Sequence, residues 1–518
     1  MSTTPARPAE AGRPPATLTR RASLNALAAF VDYGARIVIQ LVLAPLMLGF
    51  LGDVGYGIWQ VLQRLIGHAT PASGRPGEAL KWVVAQGQHS DDREAKRRQV
   101  GTALAVWLLF LPLVGVLGGV LAWLSPDLVH APPDHVGEVR IAAGLLVLNL
   151  MILGVGSVPQ SVLQGENLGY RRLGLSTAIL FVGALLTAGA LWAGWGLTGV
   201  AASTCVATVL SGVTYLRIVR SQIPWWGVAR PVRGAVRGFL GISTWFLLWN
   251  LVMQAIKGSD MIVLGAVGGV ALVTTYSLTS YVPQAVSDTV FMVISATMPG
   301  VGGLVGAGEL RRAARVRAET MVLSWLVAVA AGAVVIVWLP QFLTLWVGAK
   351  YDAGTLATVL ISVMVLQLAL VRVDSNVIDV TLRVRAKVLL GLFSVGLAAG
   401  LAWYFVGPLG LGIPGLVAGF VLGRLPLTFT YPWLVGRLLV LSPARQVAAI
   451  WRPLLTSVAL IGGATWLRGH AHAGDWFSLV LLGLATTGLT LAVAATAGLD
   501  GAQRRRVRTR LLRVVGRA

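Results

Sequence analysis

Charge is scarce in this 518-residue chain, at 12% of residues, about half of what a soluble globular domain carries. With 56% of residues hydrophobic, no ordinary water-facing surface can be built from it. Cysteine is rarer still: Cys205 stands alone in the apolar stretch STCVATVL. A single cysteine excludes a disulfide within the chain and a thiolate metal cluster, and it reads as an inert, small core residue. No GxxxxGK[ST] loop is present to cradle ATP, and HExxH, Cys/His metal spacing and Asp-x-Asp are all missing. The longest loop on the side read as external is about fifteen residues, too little to carry catalytic side chains outside the membrane. Neither an enzyme nor a bound cofactor is expected.

What the chain has in abundance is long apolar runs. They fall at 24–50, 54–70, 100–124, 140–163, 173–193, 196–217, 238–265, 270–298, 319–340, 353–375, 388–406, 411–436, 450–467 and 476–497. About twenty apolar residues cross a bilayer as a helix, and most of these runs qualify. The second is the weakest, interrupted by Gln60, Gln63, Arg64 and His68. The basic residues take sides. Of 42 Lys and Arg, Arg140, Lys350 and Arg468 lie in one set of loops, and Arg36, Arg64, Lys257, Arg372 and Arg424 lie within spans. The remainder fill the N-terminal tail, the alternate loops and the C-terminal tail, so both termini are placed in the cytoplasm. The same bias accounts for the net charge of +22, and nucleic acid is not an expected partner.

The expected fold is therefore an all-α polytopic membrane protein of about 14 transmembrane helices, N-in and C-in. Residues 1–23 read as a disordered cytoplasmic tail, 24–220 as a six-helix N-lobe and 238–436 as a six-helix C-lobe. Between them, 221–237 (SQIPWWGVARPVRGAVR from 221) reads as an amphipathic cytoplasmic linker helix, with Arg230, Arg233 and Arg237 at helical spacing. Residues 437–497 hold two further helices, and 498–518 form a basic cytoplasmic tail suited to anionic lipid or to fixing orientation. Equal halves of this kind place a substrate site between them in transporters. Pro45, Pro112, Pro159, Pro283, Pro414 and Pro426 lie within spans and are hinge candidates.

Charges kept inside a membrane are costly, and they mark the candidate site. Asn25, Asp32, Arg36 and Gln40 share one face of the first span, within about 80° at 100° per residue. Asp32 and Arg36 are four apart and can pair. Gln60, Arg64 and His68 follow at steps of four in the second span. Ser243, Asn250, Gln254 and Lys257 form a stripe in the seventh, with Asp260 nearby, and Ser277, Tyr281, Gln284 and Asp288 form one in the eighth. A polar interior shared by both lobes is the simplest account, with interhelical hydrogen bonding as the alternative. Arg372, Asn376, Asp379 and Arg383 share a face at the end of the tenth span. There, Arg372 and Asp379 read as a gate ion pair or a solvated helix end.

Several stretches resemble a known family. Pro45-Leu46-Met47-Leu48 followed by Leu51-Gly52-Asp53-Val54-Gly55-Tyr56-Gly57-Ile58-Trp59 is similar to the junction of spans 1 and 2 in bacterial polysaccharide flippases. These belong to the multidrug/oligosaccharidyl-lipid/polysaccharide exporter superfamily. Tyr276-Ser277-Leu278-Thr279 with Met298-Pro299, then Phe342-Leu343-Thr344-Leu345-Trp346-Val347-Gly348, and Pro408-Leu409-Gly410-Leu411-Gly412-Ile413-Pro414-Gly415, resemble later segments in the same order. The resemblance covers about 24–436. After span 2 the chain reads HATPASGRPGEALK where the family often has Asp-x-Gly, so it looks like a divergent member.

The resemblance implies two six-helix lobes that open alternately to each face of the bacterial cytoplasmic membrane. It also implies outward movement of an undecaprenyl-diphosphate-linked oligosaccharide, with a polysaccharide polymerase and glycosyltransferases as partners besides membrane lipid. A diphosphate needs cations in a low-dielectric space. Arg36, Arg64 and Lys257 are the expected contacts, with Asn25, Gln40, Asn250 and Gln254 beside them. Asp32, Asp260 and Asp288 are expected to tune those cations or to bind a coupling H⁺ or Na⁺. An ion-coupled exporter of cationic amphiphiles on the same fold, and a non-transporting scaffold for polysaccharide enzymes, are the alternatives.

Overall fold

The computed structural model describes residues 16–67, 92–129, 131–166, 175–231, 251–256, 258–380, 384–442, 450–501 and 503–506, with single positions at 69, 77, 80, 81, 83, 84, 168, 234 and 446. Side chains at 16–32 are outside the described set, as are His68, Ser243, Asn250, Lys257 and Arg383. All regular structure among the described residues is helical. We number the helices α1 (Ala16–Gly67), α2 (Arg93–Leu128), α3 (Val136–Gly165), α4 (Leu175–Trp192) and α5 (Gly196–Gln222). After residues 251–256, also helical, come α6 (Gly258–Val267), α7 (Val270–Thr279), α8 (Tyr281–Gly306), α9 (Leu310–Trp346) and α10 (Thr355–Val380). The chain continues through α11 (Val384–Val406), α12 (Gly412–Gly423), α13 (Leu425–Leu438), α14 (Trp451–Arg468) and α15 (Trp476–Val493).

Ten of the described helical stretches are long and apolar enough to cross a membrane. Side chains such as Leu185, Phe429 and Phe477 are more than 70% exposed, an arrangement that water would penalise and lipid accepts. This is a multi-pass membrane protein. The fourteen apolar runs all coincide with helix where they are described, but the punctuation differs from expectation in three places.

The first two spans are one 52-residue helical stretch, interrupted only at Gly52. Its φ of 69° and ψ of 179° lie in a region open in practice to glycine alone, so the two spans join without a loop between them. The twelfth span is two helices, α12 and α13, meeting at Arg424. Pro426 in the first turn of α13 lacks an N–H, and inside a membrane the freed carbonyls need other donors. They have them: Gln367 Nε2 donates to Val421 O at 2.9 Å and Ser394 Oγ donates to Gly423 O at 2.9 Å. Pro283, Pro414 and Pro426 open α8, α12 and α13 rather than bending a continuous helix, whereas Pro45 and Pro159 lie inside α1 and α3.

The third difference lies within the linker. Residues 223–231 run as a turn and non-helical chain, residue 234 is helical, and Arg233 and Arg237 lie outside the described residues. Pro224 and Pro231 oppose helix formation, and the backbone here is spent on other contacts. Trp225 Nε1 donates to Glu166 at 2.9 Å, Lys96 lies 5.4 Å from the Trp225 ring centre, and Arg97 Nε donates to Trp225 O at 2.9 Å. Gly101 sits beneath the extended segment: a Cβ there would fall 1.9 Å from Ala229 O.

By internal contacts the chain divides into two units. One comprises 1–46, 69–122 and 140–243, and the other comprises 47–68, 123–139 and 244–518. The second span therefore packs with the C-terminal half of the chain rather than with the other five spans of its own half. In the first unit, Val100, Val158, Val162 and Leu163 form a core together with Ile223 and Trp225. In the second, α9 is the most enclosed span, with 72% of its apolar window buried, and α14 and α15 pack on it through Trp325, Trp338, Leu460 and Leu479.

Two helix crossings in the second unit are set by small residues. Gly415, Gly419 and Gly423 recur every fourth residue on α12 and meet α11, where added Cβ atoms at Gly419 and Gly423 would lie 2.5 Å from Ala402 N and 2.2 Å from Ala398 Cα. Gly57 does the same against α7, where a Cβ would fall 2.1 Å from Val270 O.

Candidate functional site

Within the second unit, the polar stripes of spans 2 and 8 meet. The buried Tyr56 hydroxyl bonds to Gln60, one turn on, and to Ser277 of α7. Gln254 Nε2 donates to Gly67 O at 3.1 Å and so caps the end of α1. Asp260 accepts from Tyr276 at 2.7 Å and from Met261 N at 2.8 Å. Beside it, Arg424 is 3% exposed; its Nη2 donates to Ile256 O at 2.6 Å and its plane lies 5.0 Å from the Phe420 ring centre. Asp288 is partly buried and accepts from the exposed Gln284 at 3.2 Å.

A second group lies at the end of α10 that the charge pattern assigns to the cytoplasm. Lys387 is wholly buried, with Nζ 2.6 Å from Asp379 and 3.2 Å from Ser375 O. Its residue position was expected in a loop. Arg372, expected in a gate ion pair with Asp379 or at a solvated helix end, reaches Met253 Sδ at 3.6 Å and lies 5.7 Å from the Phe291 ring centre.

In the first unit, Arg36 and Gln40 are exposed on α1, while Asn25 and Asp32 carry side chains outside the described residues. Arg64, in the second unit, is partly buried. The expected meeting of Arg36, Arg64 and Lys257 thus falls partly outside the described residues, as does the Asp32–Arg36 pair.

Five contacts on the face that the charge pattern assigns to the outside have no counterpart in the sequence pattern. At the Gly52 break, Asp53 accepts from Lys350 Nζ at 2.9 Å and from the Tyr351 hydroxyl, and its carbonyl accepts from Thr274 at 2.5 Å. Thr279 Oγ1 donates to Tyr351 O at 2.8 Å. Arg468 Nη2 donates to Asp352 at 2.6 Å, which ties α14 to the same loop. Two of the three basic residues on that side, Lys350 and Arg468, are engaged here, and their rarity there is the signal that could have found them.

Asp53, as acceptor, holds the Lys350 ammonium above its ordinary range. The sign is that of a raised base: the pair is complete below the usual lysine value and is lost as pH rises through the higher one. Asp53→Asn is therefore expected to drop the Lys350 value and to speed acylation of that amine at mildly alkaline pH. Mass spectrometry of the labelled peptide checks this. An unchanged rate would mean that Asp53 does not hold Lys350 in solution.

Among the described residues no group of three or more His, Cys, Asp or Glu is placed to hold a metal ion. The polar groups described are bonded chiefly to one another across helices, as Tyr276 is to Asp260 and Gln254 is to Gly67 O.

No family model matches the chain, and no curated protein matches it. Solved structures do. The lipid II flippase MurJ, in an inward closed conformation, superposes with a TM-score of 0.66 at 10% identity, covering 91% of this chain and 98% of that one. An inward-facing multidrug resistance MATE family transporter of the MOP superfamily gives 0.59 at 16% identity, over 81% and 98%. An outward-facing transporter of the same description gives 0.52 at 17% identity, over 83% and 98%. The chain has the fold these structures share, the one implied by the motifs around Gly52, Tyr276 and Pro408.

Proposed function

We propose that this protein is an alternating-access transporter, and not an enzyme, that moves an undecaprenyl-diphosphate-linked oligosaccharide from the inner to the outer leaflet of a bacterial cytoplasmic membrane. The observation that carries the reading is Arg36, exposed together with Gln40 on a long, strongly apolar helix. Lipid would reject an arginine on such a helix, so that face borders water or a polar cargo. A diphosphate supplies the complementary charge. Arg64 and Lys257 are the further cations proposed to meet the diphosphate, Lys257 lying outside the described residues. Asp32, Asp260 and Asp288 tune it or take up H⁺ or Na⁺. A polysaccharide polymerase and glycosyltransferases are the natural neighbours of such a cargo.

Reconstituted flipping of a fluorescent undecaprenyl-diphosphate oligosaccharide tests the reading. Arg36→Ala and Arg64→Ala are each expected to slow flipping about tenfold or more, the worth of one charged hydrogen bond, with the melting curve unchanged. No flipping by well-folded wild type would withdraw the cargo.

One observation favours a second cargo class on the same fold. Asp288 is a partly buried carboxylate within an apolar helix, which suits a cationic amphiphile. In that case efflux of a cationic dye should depend on Asp288 and be indifferent to Arg36→Ala.

A further inference from the structure

We propose that Arg372 is the centre of a second anion subsite, within the second unit, for a phosphate-class group. A guanidinium cannot shed its charge, and one taken out of water without an anion is costly. Arg372 is in that position. Its Nη1 has only the Met253 thioether, a weak acceptor, its plane faces the Phe291 ring, and its buried Nε has no hydrogen-bond partner. The one carboxylate near it, Asp379, is engaged by Lys387 instead.

The local charge does not cancel. Arg372 and Lys387 contribute two positive charges and Asp379 one negative, and Lys387 is engaged by two protein acceptors, Asp379 and Ser375 O. Arg372 is the cation left over. Two further hydroxyls, on α10 and α8, are unused. Ser375 is three residues on along α10, and its hydroxyl is buried without a partner. On α8, Ser287 is one turn from Phe291 on the same stripe, is 2% exposed, and likewise has no partner for its hydroxyl. A guanidinium Nε–H and two hydroxyls, unspent beside a net positive charge, are what a tetrahedral oxyanion accepts from. Arg372 also retains partial exposure, which gives an anion access to it.

Two sources share this chemistry: the diphosphate of a carried lipid, which rests on the reading above, and the headgroup of an anionic membrane lipid. The probe is inorganic pyrophosphate, titrated calorimetrically against the full-length protein in nanodiscs of zwitterionic lipid. Arg372→Gln is expected to weaken binding about tenfold or more, and Arg372→Lys to weaken it less. Ser287→Ala, which removes no charge, is expected to weaken it about threefold and covers the case in which the arginine variants misfold. Repeating the titration with phosphatidylglycerol in the discs separates the sources. Competition in wild type that vanishes in Arg372→Gln assigns the site to a headgroup, and no competition assigns it to cargo phosphate. Wild type that binds no pyrophosphate, or a folded Arg372→Gln that binds it as well as wild type, overturns the proposal. Flipping that proceeds while pyrophosphate ignores Arg372 would sink this subsite and leave the transport reading standing. Pyrophosphate bound through Arg372 without flipping would do the reverse.

Discussion

Arg317→Ala is expected to cost about 3–5 kcal/mol of stability, the largest effect of any single side-chain truncation proposed for this protein. Arg317 of α9 holds Asp374 of α10 in a two-pronged pair, Nε and Nη2 each 2.7 Å from a carboxylate oxygen. Asp374 is 1% exposed, and Arg317 6%. Truncating the arginine leaves a buried carboxylate with no counter-charge, and it is this stranding, rather than the net worth of the pair, that sets the size of the loss. The same reasoning fixes a control. Arg317→Met combined with Asp374→Leu removes both charges and is expected to recover most of the stability, because pairing in a low dielectric does little more than offset desolvation. Thermal unfolding in detergent, followed by tryptophan fluorescence, reads both. A double variant no better than Arg317→Ala would mean that the two residues do not act as a pair.

Gly423→Val is expected to disrupt the second unit at the α11–α12 crossing, by about 3 kcal/mol or more. The added Cβ would lie 2.2 Å from Ala398 Cα and 2.4 Å from Ala398 N, which are main-chain atoms with nowhere to go. Because the obstruction is backbone, Ala398→Gly is expected to give no rescue. Gly462→Val, on α14, meets nothing within 4 Å and serves as the tolerant comparison at an equally apolar position. Loss of monodisperse protein in gel filtration for the first variant and not the second is the expected pattern. Equal behaviour would show that the crossing is looser than drawn.

How far the sequence carried depended on the range of the interaction involved. Apolar runs are local, so the helices around Leu146, Leu326 or Leu484 were readable from length alone. Side of the membrane is likewise written in the loops. Helix ends were less legible. The break at Arg424 depends on Gln367 and Ser394, residues tens of positions away that replace the missing donors. In the linker the spacing of the arginines is helical, while Pro224, Pro231 and the Trp225–Glu166 contact keep 223–231 out of a helix. Lys387 misled for a related reason: a charge was taken as the mark of a loop, yet Asp379 lies two turns back along the chain and neutralises it in the interior. The Arg317–Asp374 pair was half visible, since an aspartate within an apolar run demands a partner, but nothing in RRAARVR says which arginine answers.

The glycine seam between α11 and α12 also supplies a ruler. With main chains in contact at Ala398 and Ala402, these two helices have no room to slide or roll independently, so any two probes placed on them report one fixed distance whatever the rest of the molecule does. A spin-label pair at the exposed Leu392 and Leu422 would thus calibrate the spectroscopist's error bar from inside the protein. The chain's own thiol helps, since Cys205 is buried with its Sγ directed at Leu145 O, and leaves labels attached elsewhere almost without background.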